Sequence, residues 1–239
     1  MNTTKFNKNF KNSKNSKVSN SKVSKSEVKK PSIDYETVII VDWQDDFGTP
    51  GGALYVEGAE KTKQPIIDYV LNNQKRINQI IFTRDWHTKK DLSFKKNGGE
   101  WPNHCEQNTD GAQINSELYN VLRDTRIPTF IVDKGTVYDH EEYGAFEHCG
   151  TFHHLHPNDK PNLKWCHFAN FESSSGVRIF NENLVVCGIA GDYCVKETIK
   201  NLLGHWKQFK ISVLMDGVAS IDGGTAINEL IVEKNLKKI

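Results

Sequence analysis

Apolar residues gather along this chain in short runs, and the runs are separated by stretches with helical spacing. Residues 37–41 (Thr-Val-Ile-Ile-Val) form a continuous apolar run, the pattern of a strand buried on both faces. Residues 77–83, 129–132, 184–187 and 211–215 repeat it. Between the runs, 59–71, 116–123 and 226–232 read as amphipathic helices, and Val195, Thr198, Ile199, Leu202 and Leu203 mark another that begins beside Cys194. Lys234 to Lys238 suit the C-terminal end of the last helix. Strands alternating with helices predict an α/β fold with a mainly parallel sheet and right-handed crossovers. Residues 1–32 are nearly all Asn, Lys, Ser, Thr and Val, and bury too little apolar surface to offset ordering entropy. They are expected to form a disordered tail, leaving 33–239 as a single domain.

Polar chemistry collects where the predicted strands end, the edge at which open α/β sheets bind ligands. The first strand runs into Asp42-Trp43-Gln44-Asp45-Asp46-Phe47, the second into Arg84-Asp85-Trp86-His87, and the third into Asp133-Lys134-Gly135. After the fourth come Gly188-Ile189-Ala190-Gly191-Asp192-Tyr193-Cys194. A thiol at a helix N-terminus is expected to have a lowered pKa, and the free N–H groups of such a turn can hold an oxyanion. Taken alone, a cysteine is often just a small buried hydrophobe, an aspartate a turn cap and a lysine a solvated charge. Asp42, Lys134 and Cys194 all leave strand ends, so one pocket can gather them. Asp85, His87 and His104 together offer one oxygen and two imidazole nitrogens, a set suited to zinc, manganese or iron.

Composition narrows the class. The chain has 239 residues and a net charge of +1, which gives no case for nucleic acid or a membrane surface as partner. Its five cysteines lack paired spacing, and no apolar leader is visible. Both features suit a reducing, cytoplasmic compartment. Residues 139–167 are rich in histidine and cysteine (His140, His148, Cys149, His153, His154, His156, Cys166, His167) without a clean metal-binding spacing. They are expected to form a loop over the site or at a subunit contact.

Five motifs in order carry a family resemblance: Val41-Asp42-Trp43-Gln44-Asp45-Asp46-Phe47, Arg84-Asp85-Trp86-His87, Trp101-Pro102-Asn103-His104-Cys105, Lys134-Gly135-Thr136, and Cys187 through Val195. From about Thr37 to the C-terminus the chain resembles the nicotinamidases, members of the isochorismatase-like cysteine hydrolases. The resemblance implies a three-layer fold with helices on both faces of the sheet. It implies a catalytic triad on Asp42, Lys134 and Cys194, with oxyanion donors at the backbone N–H groups of Ala190 and Cys194. It implies a divalent metal, zinc before manganese or iron, on Asp85, His87 and His104. Phe47 and Trp101 would clamp a pyridine ring, and Tyr143, in Tyr143-Gly144-Ala145-Phe146, keeps the family's distance from the lysine. A non-proline cis bond is expected between Ile189 and Ala190.

Two departures stand out. Asp91 occupies the place of a histidine found in many relatives and is a further ligand candidate, direct or through water. Gly191 replaces a residue that is often threonine and is expected to loosen the turn. The implied reaction is hydrolysis of nicotinamide to nicotinate and ammonia, serving NAD salvage, with nicotinamide as the partner and a homo-oligomer left open. The alternatives are a cysteine amidohydrolase for another aromatic amide or an N-carbamoyl compound, isochorismate hydrolysis, a zinc hydrolase with a structural Cys194, and a non-catalytic binding protein.

Overall fold

In the computed structural model, residues 34–147 and 179–239 are described; the tail and most of the histidine-rich stretch, from His148 to His167, lie outside them. β1 (Glu36–Val41), β2 (Ile77–Asp85), β3 (Thr129–Lys134), β4 (Asn183–Ile189), β5 (Lys210–Ala219) and β6 (Lys237–Lys238) form one sheet in the order β3-β2-β1-β4-β5-β6. All its pairings are parallel. The helices are α1 (Asp45–Gly48), α2 (Lys63–Asn73), α3 (Ser116–Asp124), α4 (Lys196–His205) and α5 (Thr225–Glu233).

The central strands are apolar on both faces because each face is covered. Val38 and Ile40 of β1 join Val185 and Cys187 of β4 in one core, closed by Ile66, Ile67 and Val70 of α2 and Leu118 and Leu122 of α3. Ile39 and Val41 join Leu184 and Val186 in the other, closed by Ile199 and Leu202 of α4 and Ile227, Leu230 and Ile231 of α5. The result is the expected three-layer α/β architecture. Local chemistry sets the helix ends. Pro65 falls in the first turn of α2, where backbone N–H groups have no intrahelical partner to lose. The side chain of Asn115 caps α3, accepting from Leu118 N at 3.2 Å.

Several boundaries differ from the sequence-based expectation. The acidic run after β1 forms the one-turn helix α1, and residues 59–62 form a tight turn of 3₁₀ helix ahead of α2. β5 does not stop near Asp216: a register shift opposite Val186 and Gly188 bulges the strand, exposes Asp216 and carries the ladder on to Ala219. The last helix ends at Glu233, and Lys237 and Lys238 pair with Ser212 and Val213 as an added edge strand. Periodicity could not reveal so short a strand, whose residues are both exposed.

Candidate active site

The sheet order sets the site. β1 leads outward through β2 to β3 on one side, while β4 leads through β5 to β6 on the other. The C-terminal ends of β1 and β4 therefore flank the topological switch point, where a crevice opens. Asp42 leaves β1 with φ 45°, a backbone turn uncommon for a residue bearing a side chain. Cys194 lies in a wide helical turn, Gly191–Val195, that follows β4 and leads into α4. The bond between Ile189 and Ala190 is cis, as expected.

Lys134 joins the strand ends. Its ammonium lies 2.9 Å from Asp42 Oδ2 and 3.7 Å from Cys194 Sγ, donates to Asp85 Oδ1, and donates to the Glu142 carbonyl at 3.3 Å. Asp42 and Lys134 are fully enclosed, and Cys194 is buried as well. Asp42 Oδ1 accepts from the Thr83 hydroxyl at 2.6 Å. Asp42 Oδ2 is buried against the Lys134 ammonium and lies on the side of the thiol. One carboxylate oxygen from each of Asp42 and Asp85 and the Cys194 sulfur all lie within 4.8 Å of one another.

Electrostatics follow from this packing. Burial raises Asp42 and Lys134 pulls it back, leaving its carboxyl at about 6. Burial opposes charge on Lys134, but Asp42 and Asp85 outweigh it and hold the ammonium well above its ordinary range. Asp85 is buried too, yet Lys134 and His87 hold it below the usual carboxylate range. The thiol departs from the expectation of a lowered pKa. Burial, aided by Asp42 and Asp85, pushes Cys194 well above its ordinary value despite Lys134. The resting group is a neutral thiol that needs a base, and Asp42 is positioned as one.

The second cluster stands beside the first. One donor atom from each of Asp85, His87 and His104 lies within 4.8 Å of the others, and all three residues are buried. His104 Nδ1 lies 2.8 Å from the Pro102 carbonyl, which can only accept. Nδ1 thus carries the proton, and Nε2 keeps its lone pair. Burial lowers the pKa of His104 and favours this neutral form. An oxygen and two imidazole nitrogens converging in a buried site fit a divalent metal ion. The loop bearing His104 is tied in place: Cys105 N donates to Asp46 Oδ2 at 2.7 Å, and His87 N to the Cys105 carbonyl at 3.0 Å. Gly135, at φ 59°, is a requirement of this packing, since a Cβ there would lie 2.6 Å from His87 Cε1. Asp91 sits apart from the cluster, with Oδ2 2.9 Å from His87 Nδ1.

A pocket of about 420 Å³, open mouth included, reaches both clusters, with Cys194, Ala190, Asp85 and His104 in its lining. Phe47, Trp101 and Tyr143 line it, as does Tyr193. Trp101 stands edge-on to Tyr193, with centroids 5.3 Å apart, and donates from Nε1 to the Tyr143 hydroxyl at 3.1 Å. Leu54, Val56, Glu141 and Ile221 also line it; a lone acid or isoleucine in a loop carries no periodic signal in the sequence. Glu142 was missed as well: it accepts from Gly135 N at 2.8 Å, and burial pushes its carboxyl up to about 7. Gln44, within the motif that follows β1, has a role its sequence context does not reveal. Its buried amide clamps the end of β2, accepting from Asp85 N and donating to the Asp85 carbonyl, both at 2.7 Å. Gly191 sits against the segment that follows β5. A Cβ there would lie 2.1 Å from Ser220 Oγ, so the turn is packed against the segment after β5.

Strand order and the chemistry at the switch point define an isochorismatase-like hydrolase fold. No protein-family model matches the chain. It is 31% identical to the nicotinamidase of Saccharomyces cerevisiae over 229 residues, 84% of this chain and 95% of that one. The chain belongs to the nicotinamidase family. A crystal structure of the pyrazinamidase of Pyrococcus horikoshii in complex with zinc is similar at 31% identity and TM-score 0.63, covering 85% of this chain and 98% of that one. The yeast nicotinamidase bound to the inhibitor nicotinaldehyde is similar at 26% identity and TM-score 0.64, covering 85% and 99%.

Proposed function

We propose that this protein hydrolyses nicotinamide to nicotinate and ammonia through a thioester on Cys194. The observation that carries the reading is the Lys134 ammonium, 2.9 Å from Asp42 and 3.7 Å from the sulfur of Cys194, which itself lines an aromatic pocket. The relatives named as nicotinamidases and the relative bound to nicotinaldehyde support the choice of substrate.

Asp42 takes the thiol proton while Lys134 offsets the negative charge that appears on sulfur. The thiolate attacks the carboxamide carbon, and the backbone N–H groups of Ala190 and Cys194 hold the oxyanion. One such donor is worth on the order of 3 kcal/mol in related chemistry. Asp42 returns the proton to the departing nitrogen, releasing ammonia and leaving the thioester. It then takes a proton from the water that attacks the thioester, and nicotinate leaves as the thiol is restored. Phe47, Trp101 and Tyr143 hold the flat ring, a task an N-carbamoyl substrate would not need. Asp85, His87 and His104 would hold one divalent metal ion, zinc by analogy with the Pyrococcus relative and otherwise manganese or iron, which would supply a Lewis acid beside the bound ring. Nicotinate would re-enter NAD synthesis, and the free cysteines at positions 105, 187 and 194 support a reducing cytoplasmic compartment.

Ammonia release from nicotinamide by purified protein tests the reading, with Cys194→Ala as control. The wild type turns over, and the variant loses on the order of 10⁵-fold in kcat or more. Turnover retained in Cys194→Ala overturns the mechanism. No release by the wild type with zinc, manganese or iron added overturns the substrate.

A further inference from the structure

His87 presents a single ring nitrogen to the cluster. Its Nε2 lies 3.5 Å from Asp85 Oδ2, while Nδ1, on the other edge of the ring, lies 2.9 Å from Asp91 Oδ2. An ionised carboxylate can only accept, so Nδ1 donates to Asp91 and Nε2 is the nitrogen left facing the cluster. Asp91 is itself held. It is 2% exposed, its Oδ1 accepts from Ser93 N at 3.0 Å, and its backbone carbonyl accepts from Asn97 Nδ2 at 2.7 Å. Both carboxylate oxygens are thus engaged on the side of His87 that faces away from Asp85. The buried ring of Phe94 packs edge-on to the imidazole, with centroids 5.5 Å apart, and limits its rotation.

Resting on the metal reading above, we propose that Asp91 is the positioning residue of the metal site and not one of its ligands. It fixes the tautomer and orientation of His87 from behind and makes Nε2 the better donor. Outer carboxylates of this kind typically change metal affinity by about 10–100-fold when removed. A ligand in a three-residue set contributes a bond directly, so its loss costs more. The same hydrogen bond leaves His87 one orientation in which to meet an ion, whether or not that ion is present.

The test uses the full chain, zinc as the probe, and competition against a chromophoric chelator. Asp91→Ala is expected to bind zinc about 10–100-fold more weakly than the wild type. Asp91→Asn keeps a carbonyl acceptor for Nδ1–H and a similar shape, so it loses less and guards against misfolding of the alanine variant. His104→Ala, which removes a ligand, loses more than either. In ¹⁵N-histidine spectra of the zinc-loaded protein, His87 shows protonated Nδ1, with a downfield proton that moves upfield in Asp91→Ala. Zinc affinity unchanged in both Asp91 variants overturns the proposal, and so does a loss equal to that of His104→Ala, the mark of a direct ligand. Equal zinc binding by the wild type and His104→Ala removes the metal reading itself, a different failure.

Discussion

Asp42 has to be ionised to take the proton of Cys194, and burial against the pull of Lys134 leaves it at about 6. Rate at low substrate should therefore rise with pH through about 6, as the base form fills. The Thr83 hydroxyl, 2.6 Å from Asp42 Oδ1, favours the ionised form. Thr83→Val removes that donor at nearly constant volume, so the acidic limb of kcat/KM should move to higher pH. A limb that stays in place, or moves down, would assign it to another group. Gln44 offers a test of support rather than chemistry. Gln44→Ala strips partners from Asp85 N, the Asp85 carbonyl and the Ala112 carbonyl, all bonded at 2.7–2.8 Å inside the core. The cost should be about 3 kcal/mol, a fall in Tm of roughly 6–12 °C by calorimetry.

The nucleophile turn depends on its neighbour. Asp192 accepts from Ile221 N at 3.0 Å and from Asp222 N at 3.1 Å, fastening the segment after β5 to the turn. Gly191 supplies the clearance, since a Cβ would meet Ser220 Oγ at 2.1 Å and Val218 Cγ1 at 2.7 Å. Gly191→Thr, the residue often found in relatives, should destabilise this chain by about 1–3 kcal/mol through overpacking. Adding Ser220→Gly removes the nearest of those contacts and should recover part of the loss. Simple additivity of the two changes in a double-mutant cycle would refute the contact. The turn also shows how local and distant forces compete on one thiol. Proximity to a helix start favours thiolate, but enclosure beside Asp42 and Asp85 prevails, so the base is required.

Across the molecule, the switch between β1 and β4 lets residues remote in sequence share one crevice. Arg84 on β2 pairs with Asp133 on β3 at 2.7 Å and lies over the Trp86 ring at 3.8 Å, bracing the strand ends that carry Asp85 and Lys134. Among the described residues no helix is long and apolar enough to cross a membrane. The basic segment 1–32 enters no step of the proposed chemistry. A chain beginning at residue 33 is expected to retain kcat and KM for nicotinamide within about twofold; a larger loss would give the tail a part in catalysis or folding.

Much of this was legible in the residues alone. Continuous apolar runs such as 37–41 have to be buried on both sides, so alternating strands and helices, a parallel sheet and chemistry at the strand ends followed from pattern. Asp42, Asp85, His87, His104, Lys134 and Cys194 could be marked as candidates because each follows a strand or sits in a loop of turn-forming residues. Their neighbourhood could not be read the same way. Periodicity reports which side chains avoid water, whereas strand order, the clamp of Gln44 and the turning of Asp91 behind His87 depend on contacts between distant segments. The charge state of Cys194 is likewise set by burial and by residues 134, 42 and 85, whose fields act only once packing has brought them within a few ångströms and excluded water.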